Sequence, residues 1–458
     1  MCGVFGVRAP ARDVARLTYF GLYALQHRGQ ESAGIAVSEH GRLTALRDLG
    51  LVPQVFDEQK LSGLPGEVAI GHTRYSTTGG NAWANTQPLL HHGSARTVAV
   101  GHNGNLVNAA ELRESTGRPL HSTTDSEVIA ALISSDPRPL RDAVAAAMAR
   151  LEGAATVVGL SEGKLFAFRD RHGFRPLVLG RLGSDVVVAS ESCALDLVGA
   201  EWDREVRPGE LLVAGDDGVE TVQAVEPADR GSLCIFEFFY LARPDTRLAG
   251  VEVHGARVRM GERLAAESPV DADLVLPIPD SGTPAAIGFA RAAGISFSEG
   301  LIKNRYVGRT FIQPEQGMRE QGIRMKFNPL AEVAGKRLVV VDDSIVRGST
   351  TRQIVSMLFD AGAAEVHVRI SSPPVVSPCF YGIDLASEDE MIAGHATVEE
   401  VRAAIGATSL AYLSLEGLQA ATRRPESALC RACLTREYPT RIPTDTRKLR
   451  FEPARARA

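Results

Sequence analysis

Apolar and polar positions follow two different patterns along the chain, with a change near residue 250. In the first half, 67–75 (EVAIGHTRY), 96–106 (RTVAVGHNGNL), 155–170 (ATVVGLSEGKLFAFRD) and 185–192 (DVVVASES) are short apolar runs ending in glycine or polar residues. That pattern predicts strands. Apolar residues recur at helical spacing in 13–29 (DVARLTYFGLYALQHRG) and 126–151 (SEVIAALISSDPRPLRDAVAAAMARL), which predicts two helical stretches. Strands in runs with helices gathered elsewhere predict sheets packed with helices rather than strict alternation.

After residue 250, 272–280 (ADLVLPIPD), 337–344 (RLVVVDDS) and 365–374 (EVHVRISSPP) are continuous apolar runs, as buried parallel strands require. The first two lead through polar, glycine-containing turns into the helical stretches 281–294 and 348–363. This predicts a doubly wound α/β domain, whose ligands bind beyond the carboxyl ends of the strands. We divide the chain into 2–230, 231–440 and a basic tail, 441–458, expected to be loose.

Composition narrows the function. A chain of 458 residues exceeds one ordinary core. A net charge of −5 offers no overall attraction for a polyanion, so nucleic acid is not an expected partner. No run of eighteen apolar residues appears, so no membrane span is expected, and Arg8, Arg12, Asp13 and Arg16 interrupt any signal-like start. The expected location is cytoplasmic, where six cysteines stay reduced or bind metal.

In 339–351 (VVVDDSIVRGSTT) an apolar strand delivers Asp342 and Asp343 into a turn, and a loop of small residues opens a helix. Backbone N–H groups and hydroxyls at a helix start suit a phosphate monoester. Adjacent carboxylates suit ribose hydroxyls, or Mg²⁺ held through water. No Walker-type or dinucleotide-binding glycine motif is present. The stretch resembles the signature of the type I phosphoribosyltransferases, which bind phosphoribosyl pyrophosphate with Mg²⁺. That resemblance assigns Asp342 and Asp343 to the ribose and the metal, and Ser344, Arg347, Gly348, Ser349, Thr350 and Thr351 to the 5′-phosphate loop. PIPDSG at 277–282 resembles the family's pyrophosphate loop, placing Asp280, Ser281 and Gly282 at the pyrophosphate and Ser281 at the metal. Between the loops, Lys303, Arg305, Arg309, Arg319, Arg324 and Lys326 crowd a Gly- and Pro-broken segment that suits a lid over a polyanion.

The opening MCGVFG raises a different chemistry. Loss of Met1 would leave Cys2 with both a thiol and an α-amine, a nucleophile and base on one residue. Four polar stretches accompany it, three of them containing glycine: QHRGQESAG (26–34), GHTRYSTTG (71–79), GHNGNL (101–106) and TDSEV (124–128). Asn103 and Gly104 offer an amide and a backbone donor to an oxyanion. Arg74 and Asp125 offer a cation and an anion to an amino-acid substrate. Together these resemble the glutamine amidotransferases of the N-terminal-nucleophile hydrolase class, over nearly all of 2–230. The resemblance implies a layered αββα fold, catalysis by Cys2, Asn103 and Gly104, and glutamine binding by Arg74, Asp125, Thr77 and Arg28, with His72 nearby.

Only one combination joins this glutaminase to a phosphoribosyltransferase, and the whole chain resembles the amidophosphoribosyltransferase family. That implies transfer of ammonia from glutamine to C1 of phosphoribosyl pyrophosphate, giving 5-phosphoribosylamine, glutamate and pyrophosphate at the entry to purine synthesis. It further implies feedback inhibition by purine nucleotides and a homotetramer. Two other readings are an independent glutaminase fused to a base-salvage transferase, and a regulator with decayed catalysis.

Cys430 and Cys433 form a CxxC pair, while Cys234 and Cys379 lie far off in sequence. Zinc, a cluster or free thiols all fit that pattern. In one branch of the family these four positions match the ligands of a 4Fe–4S cluster, and the resemblance implies one here. Cys193 is expected to be a buried apolar thiol.

Overall fold

The computed structural model describes residues 1–117, 119–304, 325–385, 391–444 and 448–452. Two antiparallel sheets form the first half. One has seven strands, with Gly3–Arg8 flanked by Asp185–Ala189 and Val68–Arg74; the other has six, with Thr97–Leu106 beside Gly153–Ser161. Their inner faces share one apolar layer, including Val4, Ile70, Ala99, Val158, Leu165 and Val188. Helix Val14–Ala24 and helix Ser192–Val198 cover the outer face of the first sheet, and Ser126–Ser135 and Leu140–Met148 that of the second. The layers are therefore αββα, as expected.

Local chemistry sets the elements. Asp13 caps Val14–Ala24 by accepting from the Arg16 backbone N–H at 3.0 Å. The long helical stretch expected over 126–151 is two helices, because Pro137 and Pro139 interrupt it. The run 155–170 is likewise two strands, folded at Glu162 and Gly163, both at positive φ (52° and 72°).

The second half contains a four-stranded parallel sheet in the order Leu274–Pro277, Arg337–Asp342, Glu365–Ile370, Ser409–Tyr412. Alternate residues of its strands face opposite cores. Val275, Val339 and Val341 meet Val253–Glu267 and Thr283–Ala293, whereas Leu276, Leu338 and Val340 meet Ser349–Asp360 and Val398–Ile405. The doubly wound expectation holds. The strand Ser409–Tyr412 and the helix Val253–Glu267 were not expected from the sequence pattern.

Residues 448–452 lie against the first half instead of projecting from the chain. Gly79 N–H donates to the Lys448 carbonyl (2.9 Å), Gly80 N–H to Glu452 (2.8 Å), and Phe451 packs on the outer core of the six-stranded sheet. The tail expected to be loose is thus tied down over this stretch.

Candidate active site

Strand Gly3–Arg8 pairs with Val68–Arg74, and that register brings Cys2 to the end of the strand that delivers Arg74. Cys2 is buried, and its thiol faces the Tyr75 carbonyl at 3.5 Å. Burial pushes the thiol pKa up. With Met1 present the Cys2 nitrogen is an amide. The terminal amine, on Met1, is itself buried and lowered to about 5 by desolvation.

The loop after Arg74 reaches the second sheet. Thr77 Oγ1 donates to the Gly104 carbonyl (3.4 Å) and Thr78 Oγ1 to Asn105 Oδ1 (2.5 Å). Arg74 donates to the Gly80, Thr78 and Gly79 carbonyls at 3.2–3.3 Å and lies 3.4 Å from Glu31, whose carboxylate also holds the Ser76 N–H and hydroxyl. Asp125 is buried near Arg74 and accepts from the Leu106 N–H at 2.8 Å.

Asn103 is wholly buried, yet neither its amide nitrogen nor its oxygen has a partner among the described residues. A buried amide without a partner is costly, so its retention points to a ligand. Gly104 sits at φ 156°, and a Cβ there would come within 2.0 Å of the Ala154 carbonyl oxygen. Only glycine permits that approach. Arg28 lies one layer back. Its Nε donates to the Cys2 carbonyl (3.0 Å) and its remaining nitrogens to Glu191 and Glu237, so it supports the Cys2 backbone from behind.

The second site lies at the carboxyl ends of the parallel strands. Ser281 and Ser344 both donate to the Asp343 carboxylate, the latter at 2.5 Å, which joins the two loops named from the sequence. Burial first, and then Asp343, pushes the Asp342 pKa well up; burial also raises that of Asp343. Two adjacent buried carboxyls resist ionising together, and a divalent ion would relieve both. Lys303 pairs with Asp280. Gly348, at φ 75°, caps the helix Ser349–Asp360; Ser349 and Thr350 are exposed at its first turn and Thr351 is buried. Lys326 lies over the Phe327 ring. Arg305, Arg309, Arg319 and Arg324 lie outside the described residues.

The four cysteines named as ligands come together. Cys234 and Cys430 are opposite one another on paired two-residue strands, Cys433 follows on the next helix, and Val376 N–H donates to the Cys433 carbonyl, drawing in the segment that bears Cys379. Burial, then the neighbouring sulfurs, raises Cys433; burial, followed by a lowering contribution from Arg175, leaves Cys234 at about 11. An all-sulfur donor set suits zinc or iron–sulfur chemistry. Among the described residues no three such side chains converge on the place of a single ion. The gathering of these four thiols in one region suits the thiolate donors of an iron–sulfur cluster as a chemical type. Cys193, apart from this group, is buried and its pKa is raised by desolvation.

Comparison with known proteins decides the family. A glutamine amidotransferase domain model matches residues 72–197. The amidophosphoribosyltransferase of Mycobacterium tuberculosis is 53% identical, covering 97% of this chain and 87% of its own. That of Bacillus subtilis is 48% identical, covering 97% and 95%. The chain belongs to the amidophosphoribosyltransferase family. A solved structure of the Bacillus subtilis glutamine phosphoribosylpyrophosphate amidotransferase, complexed with ADP and GMP, superposes with a TM-score of 0.91 at 46% identity, covering 97% of this chain and 99% of that one. The enzyme is therefore a glutamine-dependent amidophosphoribosyltransferase of the first step in purine biosynthesis. No helix among the described residues is long and apolar enough to cross a membrane.

Glu31, Glu191, Glu237 and Arg175 were not anticipated. Glu31 stands inside a quoted motif with no local clue to its partner. Glu237 could have been flagged, since one carboxylate in the aromatic run SLCIFEFFY requires a buried cation.

Proposed function

We propose that glutamine is hydrolysed at Cys2 and that its ammonia passes inside the protein to C1 of phosphoribosyl pyrophosphate. Once Met1 is removed, the free Cys2 amine takes the thiol proton, and sulfur attacks the amide carbon. Asn103 Nδ2 and the Gly104 N–H receive the oxyanion, ammonia leaves with the proton, and water releases glutamate from the thioester. Arg74 holds the α-carboxylate, Asp125 the α-ammonium, and Thr77 lines the same pocket. The observation that carries this reading is the buried, unpartnered Asn103 amide on the strand next to the loop from Arg74.

At the other site, Asp342 and Asp343 bind the ribose hydroxyls, and Ser344, Arg347, Gly348, Ser349, Thr350 and Thr351 the 5′-phosphate. Asp280, Ser281, Gly282, Lys303, Arg305 and Lys326 hold the pyrophosphate. Mg²⁺, held through Ser281, Asp342 and Asp343, would supply positive charge to the leaving group. Cys234, Cys379, Cys430 and Cys433 hold a 4Fe–4S cluster that staples the C-terminal segment to the second domain. Purine nucleotides inhibit the enzyme, as the nucleotide complex of the Bacillus subtilis relative suggests, and the assembly is a homotetramer. Free ammonia is mostly protonated at neutral pH, so release beside the electrophile provides proximity and keeps it nucleophilic.

The test is glutamate release by protein purified without oxygen, with and without phosphoribosyl pyrophosphate and Mg²⁺. Strong stimulation with matching pyrophosphate release is expected. Glutaminase activity indifferent to phosphoribosyl pyrophosphate would mean two uncoupled enzymes. A chain that keeps Met1 is expected to lose glutamine-dependent synthesis while keeping synthesis from added ammonia.

A further inference from the structure

A buried ionic chain runs from the nucleophile into the second domain. Arg28 is fully buried, and beyond its hold on the Cys2 carbonyl it grips Glu237 with two bonds, Nη1 to Oε2 at 3.1 Å and Nη2 to Oε1 at 2.7 Å. Glu237, also wholly buried, lies 3.5 Å from Arg175 Nη1. Arg175 in turn donates from Nε and Nη2 to the Tyr381 carbonyl, at 3.0 and 2.7 Å.

The segment that receives Arg175 also touches the oxyanion strand. Asn105 Nδ2 donates to the Phe380 carbonyl at 3.0 Å. Gly382, at φ 105°, lies against Gly104 so closely that a Cβ would come within 3.0 Å of the Gly104 carbonyl carbon. Residues 380–382 thus brace the oxyanion donors directly and the nucleophile through Arg175, Glu237 and Arg28. Glu237 is the link shared by both arginines. Such buried ion pairs are weak devices for stability compared with apolar packing, and in some proteins they serve to fix one geometry.

We propose that Glu237 is a positioning residue for glutamine hydrolysis, setting Cys2 relative to Asn103 according to the seat of 380–382. This rests on the reading of Cys2 as the nucleophile. Glu237 touches neither substrate nor reacting atoms; it acts through Arg28. Glutamine has the same shape but one acceptor oxygen, so Glu237→Gln loses one of the two bonds that Glu237 accepts from Arg28, while the bond from Arg28 to Glu191 remains.

The experiment compares full-length wild type, Glu237→Gln, Arg175→Lys and Cys2→Ala in three assays. These are glutamine hydrolysis, synthesis from added ammonia, and the rate at which iodoacetamide labels Cys2, read on the Cys2 peptide by mass spectrometry. A misplacement near 1 Å costs about 100-fold in rate, so Glu237→Gln is expected to lower kcat for glutamine by about that factor. Its KM for glutamine and its ammonia-dependent rate should stay within about twofold, while Cys2 labelling changes markedly. Arg175→Lys keeps the charge but loses the double hold on Tyr381, and should shift kcat in the same direction; if Glu237→Gln does not fold, this variant decides. A kcat within about twofold of wild type, a rise in KM alone, or a parallel fall in ammonia-dependent synthesis would overturn the proposal. If Cys2→Ala still hydrolyses glutamine, it is the nucleophile reading that fails, whatever the Glu237 result.

Discussion

His72 bridges the two sheets of the glutaminase half. It stands on the strand Val68–Arg74, and its Nε2 donates to the His102 carbonyl of the facing sheet at 3.0 Å, while Nδ1 has no partner among the described residues. Burial lowers its pKa to about 3. The unfolded chain therefore binds a proton near pH 6.5 that the folded chain refuses until about pH 3. Stability is expected to be flat in this term above pH 6.5 and to fall as pH drops, by up to about 1.4 kcal/mol per unit. His72→Gln keeps a donor for the His102 carbonyl and removes the titration. Urea unfolding at pH 7.5 and 5 should show the wild type losing about 2 kcal/mol more than the variant. Parallel losses would mean that His72 does not titrate in this window.

At the scale of the element, motifs were legible where one apolar strand runs into one polar turn. VVVDDS and PIPDSG announce their loops because the strand, the turn and the helix start are consecutive, and the structure joins them through Ser281 and Asp343. The fourth parallel strand was not legible, since Ser409–Tyr412 is four half-buried residues with no turn signal of its own. Neither was the ionic chain behind Cys2: Arg28 and Glu237 are 209 residues apart, and no local spacing records such pairing. Gly348 shows what a single element demands. Its φ of 75° is reached freely only by glycine, and a Cβ would press the Ile392 side chain at 3.3 Å. Gly348→Ala is expected to cost about 1–2 kcal/mol through the left-handed conformation and to tilt the first turn of Ser349–Asp360. The KM for phosphoribosyl pyrophosphate should rise several-fold, while basal glutamine hydrolysis, at the distant site, stays unchanged. An unchanged KM would remove this turn from phosphate binding.

Across the whole molecule, residues 448–452 close from outside on the loop that follows Arg74. Glu452 accepts from the Gly80 N–H at 2.8 Å and the Thr123 hydroxyl at 2.5 Å, and the Lys448 carbonyl receives the Gly79 N–H. Those contacts clamp the very loop whose carbonyls hold Arg74 in place. The carboxylate of Glu452 is itself held below its ordinary pKa, chiefly by the Gly80 and Thr123 bonds, so it stays ionised and the clamp persists across the neutral range. Ending the chain at Arg447 removes the clamp and, with it, the Phe451 side chain from the edge of the outer core of the six-stranded sheet. The loop, and with it Arg74, should then sample more positions before substrate arrives, and glutamine must order it on binding. The KM for glutamine is expected to rise by about tenfold, which corresponds to about 1.4 kcal/mol of ordering, with ammonia-dependent synthesis unchanged. Glu452→Gln, which keeps an acceptor oxygen but loses the charge, should fall between the two. If truncation leaves the glutamine KM where it was, the loop is held by its own contacts to Glu31 and Asn105, and the C-terminal segment is a passenger on it.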